Sequence, residues 1–252
     1  MFSHFNIIMI SVTLTMLVVL AFTIVNNSQT SATLTEDSSA YTETKMPELL
    51  YYDKYSDLRN DGKVVVIYPI FTQSAYAWGG FHDYYEGRCD FCITTKLEST
   101  YEKTFSASGN GFRILEFLGY QVIDDIDIDK DPSILDKYDK VILLHNEFVT
   151  KSEFEAITHH PNVVYLYPGS LLSEVTANYN DNTITLVRGP KFPSSDITSG
   201  FDWNLDNSKY FNDWDCSSWE FNKVSNGYML NCYPETFLPN NGYEMLKALK
   251  SL

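Results

Sequence analysis

Three polar residues stand where a parallel sheet would place its chemistry. His145 ends the strand predicted at 140–145, Glu147 follows it, and Ser170 follows the strand predicted at 162–167. Because open parallel sheets bind ligands at the carboxyl ends of their strands, we expect the three side chains at one edge. His145 is then a candidate general base beside Glu147, with Ser170 as the candidate nucleophile. The alternative, which we favour, is that His145 and Glu147 bind loop backbone and hold the turn, because no third catalytic partner is evident.

The four cysteines form two pairs by their spacing. Cys89 and Cys92 make a C-x-x-C motif inside a long predicted insertion, without the helical pattern that follows such a motif in redox proteins. We predict a structural disulfide there, and Cys216 would then pair with Cys232. An even number of cysteines is compatible with an oxidising compartment. A zinc site using His82, Cys89 and Cys92 is the alternative, although its fourth ligand is not identified.

An acidic run follows the strand predicted at 121–123. Counting from Asp125, carboxylates occupy positions 1, 3, 5 and 12 of an EF-hand loop, which binds calcium. Lys130 stands where that loop needs glycine, and Pro132 follows it. We therefore predict an acidic, solvated loop between strand and helix, with no metal and no cofactor in the protein.

A second unusual stretch, from Phe201 to Trp219, mixes aromatic side chains with Asp and Asn. Such surfaces can stack on sugars, and the same residues can also pack a small subdomain. The sequence leaves both interpretations open, and a ligand, whether a small molecule or a glycan, is not identified by it.

Length and charge restrict the classes of function. The chain has 252 residues with 33 acidic and 18 basic side chains, which gives a formal charge of −15. A pI near 4.6 argues against nucleic acid as a partner, because phosphate backbones are bound by clustered Lys and Arg. Aromatic residues make up 15% of the chain, which excludes a disordered protein and fits one folded domain with a tail.

Residues 5–25 predict a transmembrane helix that acts as a signal anchor. They form a run of 21 residues without a charge, long enough to cross a hydrocarbon core of about 30 Å. Residues 1–4 would then be a short cytoplasmic head, 26–60 a Ser/Thr-rich tether, and 61–252 an extracytoplasmic domain at the cell surface. The alternative is a signal peptide cleaved near Ala32. Two features argue against it: the apolar run is longer than that of a typical signal peptide, and no basic residue precedes it.

The remaining sequence alternates between strand and helix patterns. Apolar runs of strand length begin at Lys63, Gln121, Lys140 and Asn162. Helix signals separate them: apolar periodicity at 111–118, Asp-Pro at 131–132 and a capping box at 150–153. This order predicts an α/β domain with a doubly wound parallel sheet. We expect antiparallel hairpins at 174–188 and 219–233 as additions to it, and a closing helix at 242–250.

One segment resembles a known family. From Tyr138 to Thr150 the chain has Tyr-Asp before an apolar strand and His-x-Glu-Phe-x-Thr after it, followed by Glu153-Phe154. This is similar to the glutamine-amidotransferase-like domain of the N,N-dimethylformamidase large-subunit family, over about residues 110–170. The resemblance implies a class I glutamine-amidotransferase-like, flavodoxin-like fold. It does not imply amidase chemistry, because the elbow that would carry a cysteine holds Ser170 without glycines on both sides.

These observations together predict a membrane-anchored, extracytoplasmic binding or structural module with a noncatalytic domain. The alternative function is a hydrolase that acts on amide or related bonds and uses His145 and Glu147. A His145 that lines a cleft favours the enzyme, and a His145 that binds only backbone argues against it.

Overall fold

The computed structural model describes residues 55–203 and 210–252. The strands in this part of the chain are β1 (Val64–Tyr68), β2 (Thr94–Lys96), β3 (Gln121–Asp124), β4 (Lys140–Leu143), β5 (Phe148–Thr150), β6 (Val163–Tyr165), β7 (Ser173–Asn178), β8 (Thr183–Arg188), β9 (Phe221–Val224) and β10 (Gly227–Leu230). The α-helices are α1 (Ile70–Tyr76), α2 (Phe81–Tyr85), α3 (Gly109–Phe117), α4 (Asp125–Lys130), α5 (Lys151–His159), α6 (Leu238–Asn241) and α7 (Tyr243–Ser251). Short 3-10 helices cover Ser56–Leu58 and Pro132–Lys137.

The main sheet has six strands in the order β3-β1-β4-β6-β10-β9. Neighbours from β3 to β10 pair in parallel, and only the outer strand β9 pairs antiparallel, with β10. The inner strands are continuous apolar runs because helices cover them and exclude water from both sides. The predicted α/β class with a mainly parallel sheet is therefore confirmed.

The strand order reverses between β1 and β4. From β1 the chain goes to β3 on one side, and it then returns to β4 on the other side of β1. The loops that leave the carboxyl ends of β1 and β4 diverge for this reason, which opens a crevice at that edge of the sheet.

Alternate residues of the strands serve the two faces of the sheet. Ile67 on β1 belongs to a core that includes Ile128 of α4 and Ile157 of α5. The next residue, Tyr68, points to the other face, where its ring lies 4.8 Å from the ring of Phe112 on α3, measured between centroids. Successive side chains of a strand point to opposite faces, so a strand with both faces covered buries consecutive residues.

A second sheet has four strands in the order β2-β8-β7-β5. The hairpin predicted at 174–188 is β7 and β8, which pair antiparallel, while β5 joins β7 in parallel. This sheet is mixed, and it is larger than the predicted hairpin because β2 and β5 join it. These two strands are only three residues long, so they give little signal in sequence.

The second predicted hairpin, at 219–233, is not an addition to the main sheet but part of it. β10 pairs in parallel with β6 through Gly227 and Val163, and β9 forms the edge. The reason is apolar burial, since Met229 and Leu230 of β10 are almost completely inaccessible to solvent.

The insertion between β1 and α3 is also more regular than predicted. It contains α1, α2 and β2, and residues 70–75 of α1 are all buried. Its polar residues Thr72, Gln73 and Ser74 are buried together with the apolar ones, so the helix lacks the apolar stripe opposite a solvated face from which helices are recognised.

The first described residues already pack on the domain. Tyr55 and Leu58 are buried, and the hydroxyl of Tyr243 on α7 donates a hydrogen bond to Asp57. Within residues 55–203 and 210–252, no helix has the length and apolar character needed to cross a bilayer. The predicted anchor at 5–25 and most of the predicted tether lie outside the described residues.

Candidate functional site

A cavity of about 310 Å³ opens at the carboxyl edge of the main sheet, where the loops after β1, β4 and β6 meet. This volume lies at the lower end of the range of about 300–1,000 Å³ that small-molecule sites occupy. Its aromatic lining comes from Tyr76, Phe105, Phe211, Trp214 and Tyr233. Its polar side chains are Ser106, His145 and Glu147. The structure thus places His145 and Glu147, two of the three residues predicted at this edge of the sheet, in one ligand-sized cavity.

The loop before α3 fixes the ring of His145. Nδ1 lies 2.9 Å from the backbone oxygen of Ser106, and it must donate because a carbonyl oxygen only accepts. Nε2 therefore carries the lone pair when the imidazole is neutral. The backbone N–H of His145 donates to Ser108 Oγ at 2.9 Å, which holds the strand end against the same loop. The residue is 9% exposed and does both things considered above: it binds loop backbone and it lines a cavity.

Glu147 is the acidic group of the cavity. Its Oε2 accepts a hydrogen bond of 2.8 Å from the hydroxyl of Tyr76 and lies 3.7 Å from His145 Nε2. The ring of His82 stacks on Tyr76 at 5.0 Å between centroids. Burial raises the pKa of Glu147 because the carboxylate loses water, and the nearby His145 partly opposes that effect. A buried carboxyl group beside an imidazole can exchange protons or bind a cationic group.

Ser170 does not face the cavity. It is 2% exposed, and its Oγ lies 2.8 Å from the backbone oxygens of both Leu144 and Tyr167. The single hydroxyl hydrogen is therefore committed to backbone. Gly169 lines the cavity instead, with a positive φ of 83°, and a Cβ atom at this position would lie 3.4 Å from His145 Nε2. The candidate nucleophile thus has no geometric support.

A second acidic centre ties the strand ends together. Asp125, at the start of α4, is fully buried and accepts hydrogen bonds from the backbone N–H of Phe71 at 2.7 Å and from the side chain of Asn146. Glu153 of α5 lies beside it and is equally buried. If both groups were ionised, neither oxygen of Glu153 would have a hydrogen-bond donor. Burial raises the pKa of Asp125 to about 7, although hydrogen bonding to Glu153 opposes that shift. Burial, together with the charge of Asp125, raises the pKa of Glu153 well above its usual value. We therefore expect the pair to hold a proton between them. The run predicted as a solvated loop is a short helix with a buried first residue.

The side chain of Glu235 caps the N-terminal end of α3. Its carboxylate accepts hydrogen bonds from the backbone N–H of Asn110 at 2.6 Å, from that of Gly111 at 3.3 Å, and from the hydroxyl of Tyr167 at 2.6 Å. An acidic group at a helix N-terminus satisfies unpaired donors and interacts well with the helix dipole. This contact anchors the segment that carries Tyr233 into the cavity wall.

The disulfide between Cys216 and Cys232 holds the aromatic wall. The Cα atoms of the two residues lie 5.2 Å apart, and Asp213 forms a parallel bridge with Cys232. Trp214 stands between these two attachments, with its ring 5.8 Å from that of Tyr233. The pairing predicted from spacing is confirmed, and it positions one side of the cavity.

The disulfide between Cys89 and Cys92 is confirmed as well, with Cα atoms 5.4 Å apart. Neither sulfur is a free thiolate, so the zinc alternative loses two of its three ligands, leaving His82 stacked on Tyr76. In the described part of the chain, no group of three or more His, Cys, Asp or Glu side chains is placed to hold a metal ion. Two disulfides indicate an oxidising, extracytoplasmic location for the domain.

The aromatic wall is what sequence reasoning missed. Phe211 and Trp214 belong to the stretch that was interpreted as either a sugar-stacking surface or a packed subdomain. Both rings are far in sequence from His145. The disulfide and the hydrogen bond from Tyr233 to the loop at Phe105 bring the rings close to His145, and no local sequence pattern indicates either contact.

No protein-family model and no curated protein matches this chain. The described residues form an α/β domain with a mostly parallel sheet of six strands and two disulfides.

Proposed function

We propose that the protein is a membrane-anchored, extracytoplasmic binding module that holds a small organic ligand in the aromatic cavity. The observation that carries the proposal is the cavity itself, a mostly apolar, ligand-sized space at the switch point of a parallel sheet, with a few polar groups among its lining. The domain is noncatalytic in this proposal, since its candidate nucleophile Ser170 is bonded to backbone.

The order of the parallel strands supports a flavodoxin-like architecture of the glutamine-amidotransferase type. Numbered along the chain, the five parallel strands run 2-1-3-4-5 across the sheet, which is the flavodoxin-like order. This agrees with the resemblance of residues 110–170 to the N,N-dimethylformamidase large-subunit family. A likeness of fold supports the position of the ligand site and not its chemistry.

A fragment library screened by ligand-observed NMR tests the binding function. We expect hits whose signals are lost in Trp214→Ala, because that ring lines the cavity. Trp78→Ala is the matched control, since Trp78 is 96% exposed and lies outside the cavity lining. Fragments that bind both variants as well as the wild type would place binding elsewhere and contradict the proposal.

The second candidate function is hydrolysis of amide or related bonds. The distance of 3.7 Å between His145 Nε2 and Glu147 Oε2 favours it, because a water molecule near both groups would have an acceptor for its proton. A panel of chromogenic amides and esters should then be turned over by the wild type and not by His145→Ala or Glu147→Gln. Binding without turnover of any substrate would leave the binding module as the function.

The membrane anchor has its own test. We expect the full chain in the membrane fraction, with the domain accessible to external protease, because residues 5–25 are long and uncharged. A soluble product that begins near Ala32 would instead favour the cleaved signal peptide.

A further inference from the structure

We propose that the ligand of the cavity is an organic ammonium ion, a protonated amine with small alkyl substituents. This inference rests on the proposed binding function and adds the chemical class of the ligand. It follows from three features of the lining: several aromatic faces, one carboxylate whose side chain is only 14% exposed, and no Lys or Arg among the described residues of the lining.

The aromatic rings meet at different angles. Phe211 and Trp214 lie edge to face at 4.6 Å between centroids, and Trp214 is tilted by 45° against Tyr233. Phe105 is in turn tilted by 34° against Tyr233. Rings in several orientations can direct negative faces at one charge between them, and such cages recognise alkylammonium ions through cation–π attraction. A flat stacking surface for a sugar would need its faces more nearly coplanar.

Two of the polar groups of the cavity, His145 and Glu147, present acceptor atoms to each other. His145 commits its Nδ1 hydrogen to the backbone of Ser106, so the neutral ring presents a lone pair at Nε2. Glu147 Oε2 is an acceptor too, and the two atoms lie 3.7 Å apart. An ammonium N–H placed at this pair satisfies acceptors that the protein itself leaves facing each other. Tyr76 holds the carboxylate in position for this contact.

The charge around the cavity favours a cation. A neighbouring cavity that shares Tyr76 and Ser106 with it is lined by Glu98 and Glu102, again without Lys or Arg among its described residues. The whole chain carries a formal charge of −15, which raises the local concentration of cations at its surface. Burial also raises the pKa of Glu147, so a bound cation supplies the counter-charge that the desolvated carboxylate lacks.

Three probes of one shape separate charge from apolar fit. They are neopentylamine, neopentyl alcohol and pivalate, which present the same tert-butyl group with a cationic, a neutral and an anionic head. Binding is measured by calorimetry on the wild-type protein at about pH 8, where an alkylamine is protonated and an imidazole in water is neutral. We expect neopentylamine to bind about tenfold or more tighter than the alcohol, as a charge-assisted hydrogen bond provides, with pivalate weakest.

Glu147→Gln should remove the preference for the amine over the alcohol, and Trp214→Ala should weaken the amine at least as much as the alcohol, whereas Trp78→Ala should change neither. The three wild-type affinities decide the question even if a variant fails to fold. Equal binding of amine and alcohol would overturn the ammonium inference and leave the binding function intact. Tightest binding of pivalate would overturn it in favour of an anion held by His145. Binding of none of the probes would overturn it too, and the fragment screen would then judge the binding function separately.

Discussion

Replacing Glu153 by glutamine tests the buried carboxyl pair. The substitution keeps the shape of the side chain, removes its titration, and gives Asp125 an amide donor in place of the shared proton. Both side chains are fully buried, so the effect of the change comes from protonation and hydrogen bonding in the core and not from the surface.

The sign and size of the effect follow from proton linkage. In the unfolded chain Glu153 ionises near its usual value of 4.5, and in the folded protein burial and Asp125 raise its pKa well above that value. The folded state therefore holds an extra proton above the unfolded pKa, and its free energy of unfolding falls by about 1.4 kcal/mol per pH unit. Glutamine does not titrate. From about pH 5.5 to 7.5 the wild type should thus lose about 3 kcal/mol of stability relative to Glu153→Gln.

Urea unfolding at about pH 5.5, 6.5 and 7.5 measures this difference, with equal slopes required for the comparison. Glu155→Gln is the matched control, because Glu155 lies on the same helix with its side chain 57% exposed. Its effect on stability should be small and the same at each pH. A difference between wild type and Glu153→Gln that stays constant over the range would refute the shared proton.

Two further predictions concern the cavity wall. Replacing Cys216 and Cys232 together by serine should lower the free energy of unfolding by about 3 kcal/mol. The same replacement of Cys89 and Cys92 should lower it by about 2 kcal/mol. The first loss is larger because that disulfide closes the longer loop, with a sequence separation of 16 residues against 3. Urea titration measures both, and equal losses would show that loop length is not what decides. Glu235→Gln should lower stability by about 2 kcal/mol, since a neutral amide has only one acceptor oxygen for the donors at the start of α3. Calorimetric melting checks this, and an unchanged melting temperature would mean that water can replace the carboxylate.

The core of the fold could be predicted where the signals are local. β1 and β4 are continuous apolar runs, and α5 begins at Thr150, whose side chain accepts from the backbone N–H of Glu153 as its capping box predicts. His145 and Glu147 could be placed together by topology alone, because the carboxyl ends of parallel strands meet at one edge.

The rest depends on contacts between distant residues. α4 looks like a solvated acidic loop in sequence, because the groups that surround the buried Asp125 are distant along the chain. They are Glu153, the side chain of Asn146 and the backbone N–H of Phe71. Ser170 follows a strand as a nucleophile would, yet the local backbone turns its hydroxyl toward carbonyl oxygens. The cavity wall at Trp214 is likewise positioned by a disulfide and by neighbours far along the chain.

The late arrival of β10 has a consequence for biogenesis. Its partner β6 pairs through Val163 with Gly227, 64 residues further along the chain. Until residues 227–230 have been synthesised, β6 is an apolar edge strand with unpaired backbone groups, the kind of surface that recruits other chains. The domain therefore completes its main sheet only after β10 has been synthesised, and we expect this non-local pairing to slow folding. Chains truncated before residue 227 should accumulate as aggregates rather than as smaller folded domains.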